Sequence, residues 1–278
     1  MAEADRPTGE YPPPEHLLRD LNVVFERKRD RRELAIALVP EILTEHGALD
    51  VGVAAVLVDI QGGGAALEHV QPDWMVTSDM TLHMARPVRR GTLVGRSRVL
   101  RAGKHNVVLE VELCADEDPS PAVLGQLGFT RIARRDDTPH PGPAEPPSRT
   151  TFALPGSGFD APFYDSLGLR TLDAATGRLE LELVDYQRNS VGAMQGGVVV
   201  ALATKAAEAV VRSVLGVPVV TRDLTARYLA LARVGPLRSE AVIVRADGDS
   251  AVVRVELRDA GQDDRLCTLV TATAGAFG

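Results

Sequence analysis

Two stretches of this chain, 50–67 and 195–215, are apolar over helical length with few interruptions. Each predicts one long helix that is apolar nearly all round and therefore buried. Ahead of each lies a short apolar segment (16–24; 162–169), then alternation of period two over 34–39 and 179–184, which predicts a strand. Behind the first helix, alternating runs predict strands over 77–84, 91–100, 106–115 and 125–133. Behind the second they fall at 221–229, 236–245, 250–258 and 266–274. Glycines stand where turns between these runs require them, as at Gly91 and Gly235. One buried helix followed by an antiparallel meander implies a sheet wrapped around that helix.

The same order of elements appears twice, and the residues repeat with it. At a shift of 144 residues, 76–93 and 220–237 are identical at seven of 18 positions. These include Thr77/Thr221, Asp79/Asp223, Thr81/Thr225 and Gly91/Gly235. Upstream the shift becomes 145, pairing Gly47, Ala48, Gly52 and Leu57 with Gly192, Ala193, Gly197 and Leu202. The chain is expected to be two copies of one unit, 16–133 and 151–278. A linker over 134–150, rich in proline, joins them. The first dozen residues, also proline-rich, read as a disordered tail.

Bulk properties narrow the function. A formal charge of −7 argues against a nucleic-acid partner. The uninterrupted apolar runs are short, so no membrane span is expected. The N-terminus lacks the basic and apolar regions of a signal peptide. Cys114 and Cys267 do not match between the copies, and neither the cysteines nor the scattered histidines have metal-ligand spacing. The expectation is a cytoplasmic protein with no metal and no cofactor.

The stretch 189–197 (NSVGAMQGG) is similar to the N-x-x-G-x-x-H-G-G motif of the PaaI-type acyl-CoA thioesterases, with glutamine replacing histidine. The segment 76–80 (VTSDM) is similar to that family too. The whole chain from residue 16, the linker excluded, resembles its tandem form. The resemblance implies an α+β fold of two hotdog domains, each a long central helix wrapped by an antiparallel sheet. It also implies an acyl-CoA substrate and a homodimer of double-hotdog chains.

Gln195, Gly196 and Gly197 open the second helix, where unpaired N–H groups and the positive end of the dipole can polarise a thioester carbonyl. The N–H of Gly197 is the expected oxyanion donor, with Gly196 and Gly192 at the substrate. Asp59 interrupts the otherwise apolar run 51–60, and burial there should raise its pKa. It also falls where the resembled family carries its acid, nine residues after the counterpart of Gln195. Nine residues place it about 180° round the helix and about 13 Å along it from that helix's N-terminus. It must therefore serve a site whose donors come from the other copy. Site one is expected to combine Asp59 (base or nucleophile) and Thr77 with Asn189, Gln195 and Gly197. Site two would combine Thr204 and Thr221 with Thr44, Asp50 and Gly52. It lacks the acid and the asparagine and should be inactive, with Glu208 read as a paired or exposed helix residue.

Seven basic residues and no acidic one lie in 86–104, and Arg86, Arg89 and Lys104 are candidates for the coenzyme A phosphates. Gly62–Gly64 lack the lysine of a phosphate loop and read as room for packing or an acyl chain. The rival expectation is a non-catalytic protein that holds acyl-CoA or another hydrophobic ligand.

Overall fold

The computed structural model describes residues 11–28, 32–134 and 148–277. Most of the expected linker and residues 1–10 of the expected tail lie outside the described residues.

The first copy runs α1 (Leu17–Asp20), β1 (Val24–Arg27), β2 (Arg32–Ala37), α2 (Val51–Val70), β3 (Trp74–Met84), β4 (Thr92–Ala102), β5 (Asn106–Ala115) and β6 (Asp118–Ile132). After β7 (Ser148–Thr151) the second runs α3 (Phe163–Ser166), β8 (Arg170–Asp173), β9 (Arg178–Leu181), α4 (Gly196–Leu215), β10 (Val219–Tyr228), β11 (Leu237–Asp247), β12 (Ser250–Asp259) and β13 (Arg265–Ala276). The described strands form one 13-stranded antiparallel sheet in the order β7-β1-β2-β4-β5-β6-β3-β10-β13-β12-β11-β9-β8. This is a tandem hotdog fold.

The halves join through β3 and β10. Thr81 pairs with Thr225, its own counterpart in the repeat, and the two hydroxyls lie 3.3 Å apart. A pseudo-twofold axis therefore passes between these residues. The helices obey the same symmetry and run antiparallel, Gly52 against Ala201 and Gly197 against Val56. A Cβ on Gly197 would lie 2.7 Å from the Val56 nitrogen, so only glycine permits this approach.

Burial explains why both helices read as apolar throughout. Residues 51–58 of α2 are all buried, since the sheet packs on one side of the helix and α4 on the other. By length and composition alone α2 would also pass as a membrane span, with a mean hydropathy of 1.3, but 67% of that window is buried inside this fold. Caps fix the helix ends. The Asp50 carboxylate accepts the Gly52 N–H at 2.7 Å, and Gly216 closes α4 in the left-handed conformation.

Three short strands, β1, β7 and β8, lie outside the sequence expectation. β7 pairs with β1 of the first copy, so the chain returns to the first unit before it enters the second. β6 also starts seven residues before its expected start, through Pro119 and Pro121. Register shifts on either side of Cys114 in its partner strand β5 accommodate them, because a bulge needs no ladder donor there.

Candidate active site

A cavity of about 780 Å³ lies where α2, the N-terminus of α4 and strands β3 and β10 meet. One stripe of α2 lines it: Asp59, Ile60, Gly63, Gly64 and Leu67, at the spacing of a single helix face. Trp74, Met75 and Thr77 come from β3, Asn189 to Val191 and Met194 from the loop before α4, and Tyr228 from β10. The interior is mainly apolar.

Asp59 is half-buried at the wall of this cavity. Its Oδ1 accepts from the Thr77 hydroxyl at 2.8 Å, and its Oδ2 accepts from the Gly197 N–H at 3.2 Å. A β-bulge at Ser78, between Thr77 and Asp79 in the β3–β6 ladder, sets the local twist beside Thr77. Burial pushes the Asp59 carboxyl above the ordinary carboxylate range, while the Thr77 and Gly197 hydrogen bonds pull it partly back. Both bonds favour the ionised form, which is the form that takes up protons.

The Gly197 N–H therefore holds the carboxylate instead of standing free for an oxyanion. The donor expected to polarise a carbonyl is thus engaged by the acid of the other copy. Gly196 lines the cavity one residue earlier. Among the described residues no acceptor for its N–H is found. Its carbonyl accepts from the Tyr228 hydroxyl at 2.8 Å, which pins the first turn of α4.

Gln195 caps α4 without a side-chain bond to the helix. Its amide instead donates to the Tyr11 hydroxyl at 3.0 Å, and that hydroxyl donates in turn to the Arg188 carbonyl at 3.3 Å. Burial raises the Tyr11 hydroxyl above its ordinary value, so it stays a neutral donor. Asn189 borders the cavity with its ring of loop residues, but its Oδ1 is taken by the N–H groups of Val191 and Ala193 at 3.1 and 3.0 Å. It shapes the loop. Gly192, at φ 76°, supplies the left-handed turn of that loop and accepts from Arg188.

Arg86, Arg89 and Lys104 are not brought to the cavity. Thr77 lies near one end of β3 and Arg86 beyond the other, about 30 Å away at the rise of a strand. Arg86 donates to the carbonyls of Asp118 and Ser120, and Arg89 lies over the Phe277 ring. Lys104 is exposed in the turn between β4 and β5.

At the pseudo-equivalent place in the other half the space is filled. Asp50 accepts from the Tyr164 hydroxyl at 2.7 Å and pairs with Lys205 at 2.9 Å, and Lys205 reaches Glu208 at 2.9 Å. Glu208 also accepts the Thr221 N–H at 3.0 Å, while the Thr204 hydroxyl turns back to the Ala201 carbonyl. Asp50, Thr204, Glu208 and Thr221 are all buried. Burial alone would lower the Lys205 ammonium, but the two carboxylates outweigh it and hold the group above its ordinary value. Glu208 is thus paired and buried. In this half the charged side chains bond one another in a single ion network.

Sequence reading missed Tyr11, Tyr228, Tyr164 and Lys205. Tyr11 lies in the proline-rich segment read as a tail, and nothing local distinguishes it. Lys205 is one cation on a helix, a pattern usually met on a solvated face.

The fold and the cavity together define a class of hotdog proteins, and comparison with known proteins places the chain within it. The family model of the thioesterase superfamily matches residues 46–122 and 191–265, more than half of the chain. The chain belongs to the thioesterase superfamily. Among solved structures, a candidate thioesterase from Novosphingobium aromaticivorans is similar over 91% of this chain and 98% of its own, at 17% identity and a TM-score of 0.62. A candidate thioesterase II from Thermobifida fusca covers 95% and 99%, at 18% identity and a TM-score of 0.62. A hotdog protein from Alicyclobacillus acidocaldarius covers 95% and 98%, at 14% identity and a TM-score of 0.61. No curated protein sequence matches this chain.

Proposed function

We propose that the chain hydrolyses an acyl-CoA thioester to the free acid and coenzyme A at one site, between its two copies. The observation that carries this reading is the Asp59 carboxylate. It stands in a largely apolar cavity, hydrogen-bonded by Thr77 and by the N-terminus of a helix from the other copy. The thioester carbonyl approaches the N–H of Gly196, where the α4 dipole stabilises charge developing on oxygen. Asp59 takes a proton from water as the water oxygen bonds to the carbonyl carbon. The tetrahedral intermediate then expels the thiolate, which leaves with that proton as free thiol. Attack by Asp59 itself, through an anhydride that water opens, uses the same placement.

Gln195 contributes no acid or base to these steps. Its amide, tied to Tyr11, fixes the loop-to-helix junction that presents Gly196.

The test is thiol release from a panel of acyl-CoA substrates by the wild type, Asp59→Ala and Thr204→Ala. Loss of turnover in the first and its survival in the second supports one site built on Asp59. Binding of acyl-CoA without thiol release in the wild type sinks the hydrolase reading and leaves a ligand-holding protein. Damage by Thr204→Ala instead moves the chemistry to the other half.

A further inference from the structure

The cavity contains a charge that the proposed chemistry does not use. Arg32, at the start of β2, lines the cavity wall together with Phe25, Leu67, Phe129 and Phe152. Its guanidinium lies on Gly64 of α2, the one position of that turn where a side chain would collide with it. Its central carbon lies over the Phe25 ring, 4.5 Å from the centroid. Among the described residues no acceptor lies within hydrogen-bond distance of its five N–H donors. Glu68, the carboxylate that acts on it through space, has both oxygens engaged by Arg27. Burial bears on Arg32 as well, lowering its pKa, with Glu68 opposing and Arg27 adding to that effect. An arginine remains charged in proteins at ordinary pH all the same.

A cation facing an apolar cavity without a hydrogen-bond acceptor is costly, and a plain hydrocarbon tail seated against it would leave that cost in place. A planar fork of donors fits a carboxylate with two parallel bonds. Gly64 is five residues beyond Asp59 on the same helix, a rise of about 7.5 Å, so the cation and the reacting carbon are separated by a short acyl chain.

On the reading of this cavity as a thioesterase site, we propose that Arg32 selects the acyl group, and that the preferred substrates are thioesters whose acyl chain ends in a carboxylate. Arg32 touches the far end of the acyl group and not the reacting atoms. It is a specificity-determining residue.

The experiment compares two coenzyme A thioesters of equal chain length, one ending in a carboxylate and one in a methyl group. Wild type, Arg32→Leu and Arg32→Gln are each tested. Wild type should prefer the carboxylate-ended substrate, and both substitutions should lower that preference about 100-fold, the size expected when one member of a buried charge pair is removed. Equal losses on both substrates place Arg32 against the coenzyme moiety and overturn the inference, as does a wild type that prefers the methyl-ended chain. Binding of the matching non-hydrolysable thioethers is measured in parallel. A carboxylate preference in binding that Arg32→Leu removes sustains the inference even where no thiol is released, whereas missing thiol release alone sinks only the hydrolase reading.

Discussion

Asp59 and Gly197 stand 138 positions apart in the chain, yet the carboxylate of one accepts the N–H of the other at 3.2 Å. The acid of the first copy is thus buttressed by the helix end of the second. A carboxylate in this setting is pulled in two directions, up by burial and down by its two hydrogen bonds.

That balance gives a pH signature. Asp59 works as a base only when ionised, so kcat/KM should rise with pH along an acidic limb whose midpoint lies above the ordinary aspartate value of about 3.9. Thr77→Val removes a bond that lowers the pKa, so the limb should move to higher pH with the plateau less affected. A limb that stays put in Thr77→Val, measured across pH 4 to pH 8 or so, means the titrating group is not Asp59.

The closed half should matter for stability. Lys205→Met leaves Asp50 and Glu208 buried beside each other without their cation, at a cost of about 3–5 kcal/mol. Urea unfolding of Lys205→Met, Glu208→Gln and the double variant should show a clearly less than additive loss, because both substitutions break one network. Additive losses mean the residues act separately.

Two helical glycines should respond in opposite ways to the same change. Gly197→Ala drives a methyl group into the Val56 backbone and should cost about 1–3 kcal/mol, with lost turnover as α4 shifts away from Asp59. Gly63→Ala meets nothing closer than the Met75 methyl at 3.6 Å, and alanine favours the helix by up to about 1 kcal/mol. Thermal unfolding of the pair checks both signs at once.

Tyr11→Phe takes away the acceptor of the Gln195 amide. A buried amide left unpaired costs about 1–3 kcal/mol, and the effect should concentrate at the start of α4. Amide hydrogen exchange at Gly196 and Gly197 should quicken in the variant while the exchange of α2 holds. Uniform exchange across both helices means that Tyr11 does not pin this junction.

Much of the architecture was legible because burial imposes periodicity. The two helices, the meander after each and the repeat itself follow from apolar spacing and from residues such as Thr81 and Thr225 that recur at a fixed shift. Asp59 stood out because a carboxylate within an apolar run needs a reason. What stayed hidden depends on the register between distant elements. Lys205 gains its meaning from Asp50, 155 residues away, which it meets only because α2 and α4 run antiparallel at one fixed offset. The role of the Gly197 N–H, and the remoteness of Arg86 and Arg89 from the cavity, likewise follow from how the halves dock. Arg32 reads as one more polar residue just ahead of the expected strand until the cavity beside it is seen.

The pairing of Thr81 with Thr225 has a consequence for inheritance. Two separate identical chains meeting at that axis would carry every substitution in both sites at once. The lysine at 205 would then also stand at the position of Ile60, inside the cavity, and the glutamate at 208 at the position of Gly63. Because the copies here share one chain, each position mutates by itself. One half was free to harden into a clamp while the other kept an open cavity.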